Sequence, residues 1–90
     1  MRQEFEKILG EEFRYLAIKT RGGLGLTQKE MGERLQMGES SYSDIETGRT
    51  SCGVLTAILL LSMQDNPKEF LDHLNMKFDQ CCKKESQPVL

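Results

Sequence analysis

"TQKEMGERLQMGESSYSDIETG", Thr27 to Gly48, is the stretch that decides how this chain folds. Thr27 offers a hydroxyl three residues before Glu30, the spacing of a capping box, and Met31 with Leu35 gives the helix that follows an apolar face. A joint of four residues, "QMGE", Gln36 to Glu39, then leads into a second short helix expected from Ser40 to Thr47. Tyr42 and Ile45 lie three apart on the apolar side of that helix, and Gly48 is a C-terminal stop signal. What remains on its outside is a row of hydroxyls and carboxylates with no base.

Outward from this pair the pattern stays helical. From Gln3 to about Thr20, the residues Phe5, Ile8, Leu9, Phe13, Leu16 and Ala17 recur at steps of three and four, one stripe of a long amphipathic helix. "RGGLG", Arg21 to Gly25, is expected to break it. Downstream, Ser51 is placed to cap a fourth helix whose Val54, Leu55, Ile58, Leu59 and Leu61 are apolar around most of the circumference, as suits the centre of a bundle. "DNP" ends that helix and starts a fifth, with Asn66 as N-cap, Pro67 in the first turn and Phe70, Leu71, Leu74 and Phe78 on one side. The period is lost at Asp79. The organisation expected is one all-α, five-helix domain over residues 1–78 and a disordered tail over 79–90.

Composition excludes several function classes. Ninety residues, 38% of them apolar, place the chain near the lower size limit for a single hydrophobic core, so whatever it does must fit on one surface. The longest largely apolar block, "VLTAILLL", Val54 to Leu61, falls far short of the run of about 18 that a membrane span needs. "MRQEFEKILGEEF" carries acids through its apolar part, unlike a secretory signal, and the expected location is cytoplasmic. Three cysteines form no disulfide framework. A zinc site from Cys52, Cys81, Cys82 and His73 lacks any CxxC or HxxxH pair, so no metal or cofactor is expected. With no nucleophile elbow, no phosphate-binding GxxxxGK[ST] and one histidine, the chain does not read as an enzyme.

Two short helices joined by a tight turn inside a five-helix domain have the layout of a helix-turn-helix unit. Thr27 to Gly48 resembles, in register and without gaps, the Cro and phage-repressor (XRE) type helix-turn-helix family. The likeness rests on the Thr-Gln opening, Met31, the small Gly32, Leu35 and Met37, the Ser-rich start of the third helix, Tyr42 and Ile45, and the closing Glu-x-Gly. A looser similarity spans about Phe13 to Leu74. The resemblance implies a lambda-repressor-like fold and a sequence-specific, DNA-binding transcriptional regulator. It assigns major-groove base contacts to Glu39, Ser40, Ser41, Ser43 and Asp44, and phosphate contacts to Thr27, Gln28, Lys29, Thr47 and Arg49. It turns Glu46 inward against an arginine of the first helix, for which Arg14 is the expected partner, and it implies double-stranded DNA as ligand and a homodimer.

Charge sets the difficulty for that reading. The net charge is −2, whereas affinity for DNA rests largely on Lys and Arg neutralising phosphates. Residues 1–35 hold seven bases against six acids, and residues 36–66 hold Arg49 alone against Glu39, Asp44, Glu46 and Asp65. The expected positive rim is Lys19, Arg21, Lys29, Arg34 and Arg49. Three departures from the family pattern accompany it: Gln36 where a glycine usually takes positive φ, a longer stretch between the first two helices, and Ala17 or Ile18 where the family has an arginine. A second reading therefore keeps the fold but makes it a protein-interaction module or an antitoxin-like regulator with a protein partner. The dimer surface is expected on the fifth helix and tail, or on the first helix.

Overall fold

The computed structural model describes residues 2–86, with side chains from residue 2 to residue 81. These residues form five helices and no strand: α1 (Arg2–Leu24), α2 (Gln28–Arg34), α3 (Glu39–Thr47), α4 (Val54–Ser62) and α5 (Pro67–Ser86). The all-α, five-helix class expected from the periodicity is therefore observed. The capping box forms as its spacing requires: the Thr27 hydroxyl accepts from the Glu30 N–H at 3.1 Å, and the Glu30 carboxylate accepts from the Thr27 N–H at 2.9 Å.

The first three helices end in the same way. At the end of α1 the Leu26 N–H reaches back to the Arg21 carbonyl and the Gly25 N–H to that of Gly22. At the end of α2 Met37 and Gln36 donate to Gly32 and Glu33, and at the end of α3 Arg49 and Gly48 donate to Asp44 and Ile45. Each is the Schellman pattern, which satisfies carbonyls left over at a helix end and turns the chain sharply through one left-handed residue. Those residues are Gly25 (φ 67), Gln36 (φ 62) and Gly48 (φ 81). Gly38, the glycine of the same joint, has φ −74, so the left-handed conformation falls on Gln36.

Packing follows from these joints. The core joins Phe13, Leu16 and Ala17 of α1, Met31 and Leu35 from the α2 segment, Tyr42 and Ile45 of α3, Leu60 of α4 and Leu74 of α5. Gly32 lies against the turn that follows it: a Cβ there would sit 3.0 Å from the Met37 carbonyl oxygen and 3.2 Å from that of Gly38. That is why a small residue is needed where α2 meets the start of α3. Helices α1 and α5 run antiparallel, with Phe5 on Phe78 and Phe13 on Phe70 at centroid separations of 4.9 Å, His73 Nε2 2.8 Å from Glu12 Oε1, and Gln64 donating to Thr20 at 2.9 Å.

Four expectations are corrected. The break expected in "RGGLG" falls at its last glycine, Gly25, and not at Gly22–Gly23, so α1 continues to Leu24; Arg21 is tied to Glu46 and donates to the Leu26 carbonyl, contacts that oppose the helix penalty of about 1 kcal/mol for each glycine. The seemingly long joint between α1 and α2 is thus absorbed into helix. Gly53, not Ser51, occupies the N-cap of α4 and makes no side-chain cap. Helix α4 is not central: it buries Thr56 and Leu60 and leaves Val54, Leu55 and Ile58 outside. Finally, α5 runs past Phe78 to Ser86, because nothing from Asp79 to Ser86 is Gly or Pro, so residues 79–86 of the expected tail are helical. The rest of that tail, 87–90, lies outside the described residues.

Replacing Gln36 by glycine removes the cost of holding a side-chain-bearing residue left-handed. Gln36→Gly is expected to raise the unfolding free energy by about 1 kcal/mol, read as a higher urea midpoint at unchanged slope.

Candidate nucleic-acid interface

Helix α3 buries Tyr42, Ile45 and Glu46, at relative positions i, i+3 and i+4. At 100° per residue this directs Ser40, Asp44 and Thr47 straight outward, with Ser41 and Ser43 on the two flanks and Glu39 in the first turn. Glu39, Ser40, Ser41 and Thr47 are exposed, and Ser43 and Asp44 are half-exposed. Of the five expected base-contact residues, Ser40 and Asp44 thus share the outward side, Ser41 and Ser43 lie on opposite flanks, and Glu39 stands in the first turn above the side that α3 buries. The Thr47 hydroxyl donates back to the Asp44 carbonyl at 3.2 Å, and Arg49 Nη1 lies 4.0 Å from Asp44 Oδ1.

The inner side of α3 is held by one carboxylate. Glu46 Oε2 accepts from Arg21 Nε at 2.6 Å and from the Tyr42 hydroxyl; Glu46 Oε1 accepts from Arg21 Nη2 at 3.1 Å and from Gln28 Nε2 at 3.0 Å. Each oxygen therefore receives two donors, and the donors come from α1, α2 and α3. Burial alone pushes the Glu46 carboxyl up, but the hydrogen bonds from Arg21, Tyr42 and Gln28 outweigh it and hold the group below its ordinary range. The Tyr42 phenol is pushed well above its usual range by burial and by the adjacent carboxylate.

Glu46 faces inward as expected, but its partner is Arg21 and not Arg14. Arg14 Nε instead donates to the Glu46 backbone carbonyl at 2.7 Å and so caps the end of α3. The sequence reading missed Arg21 because it placed the residue in a loop. Its signal was available: Arg21 is one turn beyond Ala17, on the continuation of the buried stripe of α1.

At the start of α2, Thr27 and Lys29 are exposed and Gln28 is half-buried against Glu46. The expected positive rim is thinner than the sequence suggested. Arg21 is committed to Glu46, and Lys19 lines a cleft of about 500 Å³ between α1 and α5 together with Asp65 and Glu69. Lys29, Arg34 and Arg49 remain as exposed bases of the α2–α3 region, against Glu30, Glu33 and Glu39 and the half-exposed Asp44. Among the described residues no group of three or more His, Cys, Asp or Glu could hold a metal ion, and no helix is long and apolar enough to cross a membrane. Cys82, one member of the zinc set considered from sequence, has its side chain outside the described residues.

A family model described as a helix-turn-helix domain matches residues 8–61, which covers more than half of the chain, from α1 to α4, and leaves α5 outside. No curated protein and no solved structure matches the chain.

Glu46→Gln keeps the shape but leaves the Arg21 guanidinium without its counter-charge, and is expected to cost about 2–3 kcal/mol in urea unfolding. Because the folded carboxyl is held below its unfolded value of about 4.3, its contribution is complete above that pH and is lost as pH falls through the folded value. The wild-type urea midpoint should therefore drop more steeply with acid than that of Glu46→Gln.

Proposed function

From the chain's membership of the helix-turn-helix domain family, whose members are in general DNA-binding regulators, we propose that it is a sequence-specific, repressor-like transcriptional regulator of the Cro and phage-repressor type, acting in the cytoplasm. The observation that carries this reading is the outer side of α3, a row of short polar side chains on a helix that Glu46 fixes to α1 and α2. Such a helix fits a major groove, and its side chains are short enough for base edges to approach the backbone.

In this reading Ser40, Ser41 and Ser43 donate to or accept from base edges. Glu39 and Asp44 accept from the N4 amino group of cytosine, the base-edge donor that suits a carboxylate. Thr27, Gln28 and Lys29 hold one strand's phosphates, and Thr47 and Arg49 hold those beyond the end of α3. Gln28 has one amide N–H on Glu46 and a second for a phosphate oxygen, which links backbone contact to the orientation of the reading helix. Arg49 beside Asp44 offsets part of the repulsion that a carboxylate meets near phosphate. One such helix spans few base pairs, so the regulator works as a homodimer on half-sites about 34 Å apart. The activity is binding, with no catalytic step.

The acids at Glu39 and Asp44 favour a second reading, in which the same surface takes a basic protein partner, as an antitoxin-like regulator or a protein-interaction module does.

Fluorescence anisotropy with random-sequence duplex DNA, from low to physiological salt, separates the two. Affinity should fall steeply with salt, and Lys29→Ala and Arg49→Ala should each weaken binding and lower the log–log salt slope by about 1. Absence of binding at the lowest salt would sink the DNA reading and turn attention to the acidic surface.

A further inference from the structure

We propose that the outer face of α4, together with the groove between α4 and α1, is the surface on which two copies of this chain pair. The proposal rests on the DNA-binding reading for the purpose of the dimer, but the pairing itself is argued from the patch. Val54 is 79% exposed, Leu55 62% and Ile58 58%, and Leu9 of α1 adds a further 39%. Val54 and Ile58 stand four apart and share one side of the helix. Val54 and Ile58 themselves line a groove of about 440 Å³ that Leu9 and Phe13 of α1 and Ala57 share, with Glu6 also on its lining.

The other candidate surfaces are spent. The stripe of α1 is covered by α5 through the Phe5–Phe78 and Phe13–Phe70 pairs, and Leu74 of α5 is buried. Leu71 and Met76 are exposed on α5, but five residues apart they sit on different sides of the helix. The dimer surface expected from sequence on α5 or α1 is thus mostly core, and α4 holds the contiguous apolar area that remains.

Charge selects the occupant. From Thr50 to Gln64 the chain has no charged residue. A nucleic acid or an anionic membrane finds no positive charge on α4, and among the described residues Glu6 is the one charged residue on the groove, so the partner must itself be largely apolar at the contact. Two copies that meet along α4 bring no charge of that helix together. About a two-fold axis the same apolar side chains, Val54, Leu55 and Ile58, meet their own copies across the contact. The four exposed side chains supply on the order of 400 Å² per copy, about half of what a standard interface takes from each partner, which fits a weak dimer that a two-half-site duplex would reinforce. The short connection Thr50–Gly53 runs from the end of α3 into α4, so pairing through α4 sets the two α3 helices relative to one another.

Sedimentation velocity of the full chain under reducing conditions, up to on the order of 1 mM protein, tests this without DNA. Wild type should approach twice the monomer mass. Val54→Glu with Ile58→Glu should remain monomeric at every concentration with an unchanged far-UV circular dichroism spectrum, since both side chains are more than half exposed. Leu71→Glu should still dimerise. A monomeric wild type, or a dimer that survives the double substitution, overturns the proposal. A wild-type dimer abolished by the double substitution but indifferent to DNA would keep this inference and remove the DNA reading.

Discussion

The carboxylate of Glu46 is the point on which this structure depends. Four donors from three helices converge on it, and they leave no lone pair of a buried charge without a partner. A carboxylate taken out of water without such partners would be unfavourable by several kcal/mol; fully paired, it becomes a directional joint instead. Apolar packing of Tyr42 and Ile45 brings α3 onto the core, but hydrophobic contact is non-directional and does not by itself set the helix's rotation. Opposed donors from Arg21 and Gln28 do. The outward direction of Ser40, Asp44 and Thr47 is therefore a consequence of what happens on the opposite side of the same helix.

The same joint explains where positive charge is missing. Arg21 is drawn inward to satisfy Glu46, Arg14 is occupied at the end of α3, and the exposed bases near α3 fall to Lys29, Arg34 and Arg49. In the proposed DNA-binding role, a helix with acids at Glu39 and Asp44 would have few phosphate contacts to draw on, and a second copy would carry real weight. An uncharged α4 face on a chain otherwise rich in charge is consistent with that need.

How much of this was legible depends on the range of each interaction. The capping box at Thr27 and Glu30, the stop at Gly48 and the burial of Met31, Leu35, Tyr42 and Ile45 were readable because they depend on residues three or four apart, or on local periodicity. The positive φ of Gln36 was suggested by the family resemblance, which has a glycine at that place in the turn. The continuation of α1 through Gly22–Gly23 was not, because local propensity opposes it and the contact that overrides it comes from Glu46, 25 residues on. Arg14 and Arg21 lie seven residues apart on the same side of one helix, and only the packing of α1 against α3 decides which guanidinium meets the carboxylate and which meets the carbonyl.

The all-α class, the approximate position of every helix and the polar row along α3 follow from spacing within single elements. The partner of Glu46, the length of α1 and the side of α4 left in solvent depend on contacts between elements. That last case states the physical reason most plainly. A helix apolar on all sides carries no amphipathic signal to orient it, so the neighbours alone determine that Thr56 and Leu60 are buried while Val54, Leu55 and Ile58 are not.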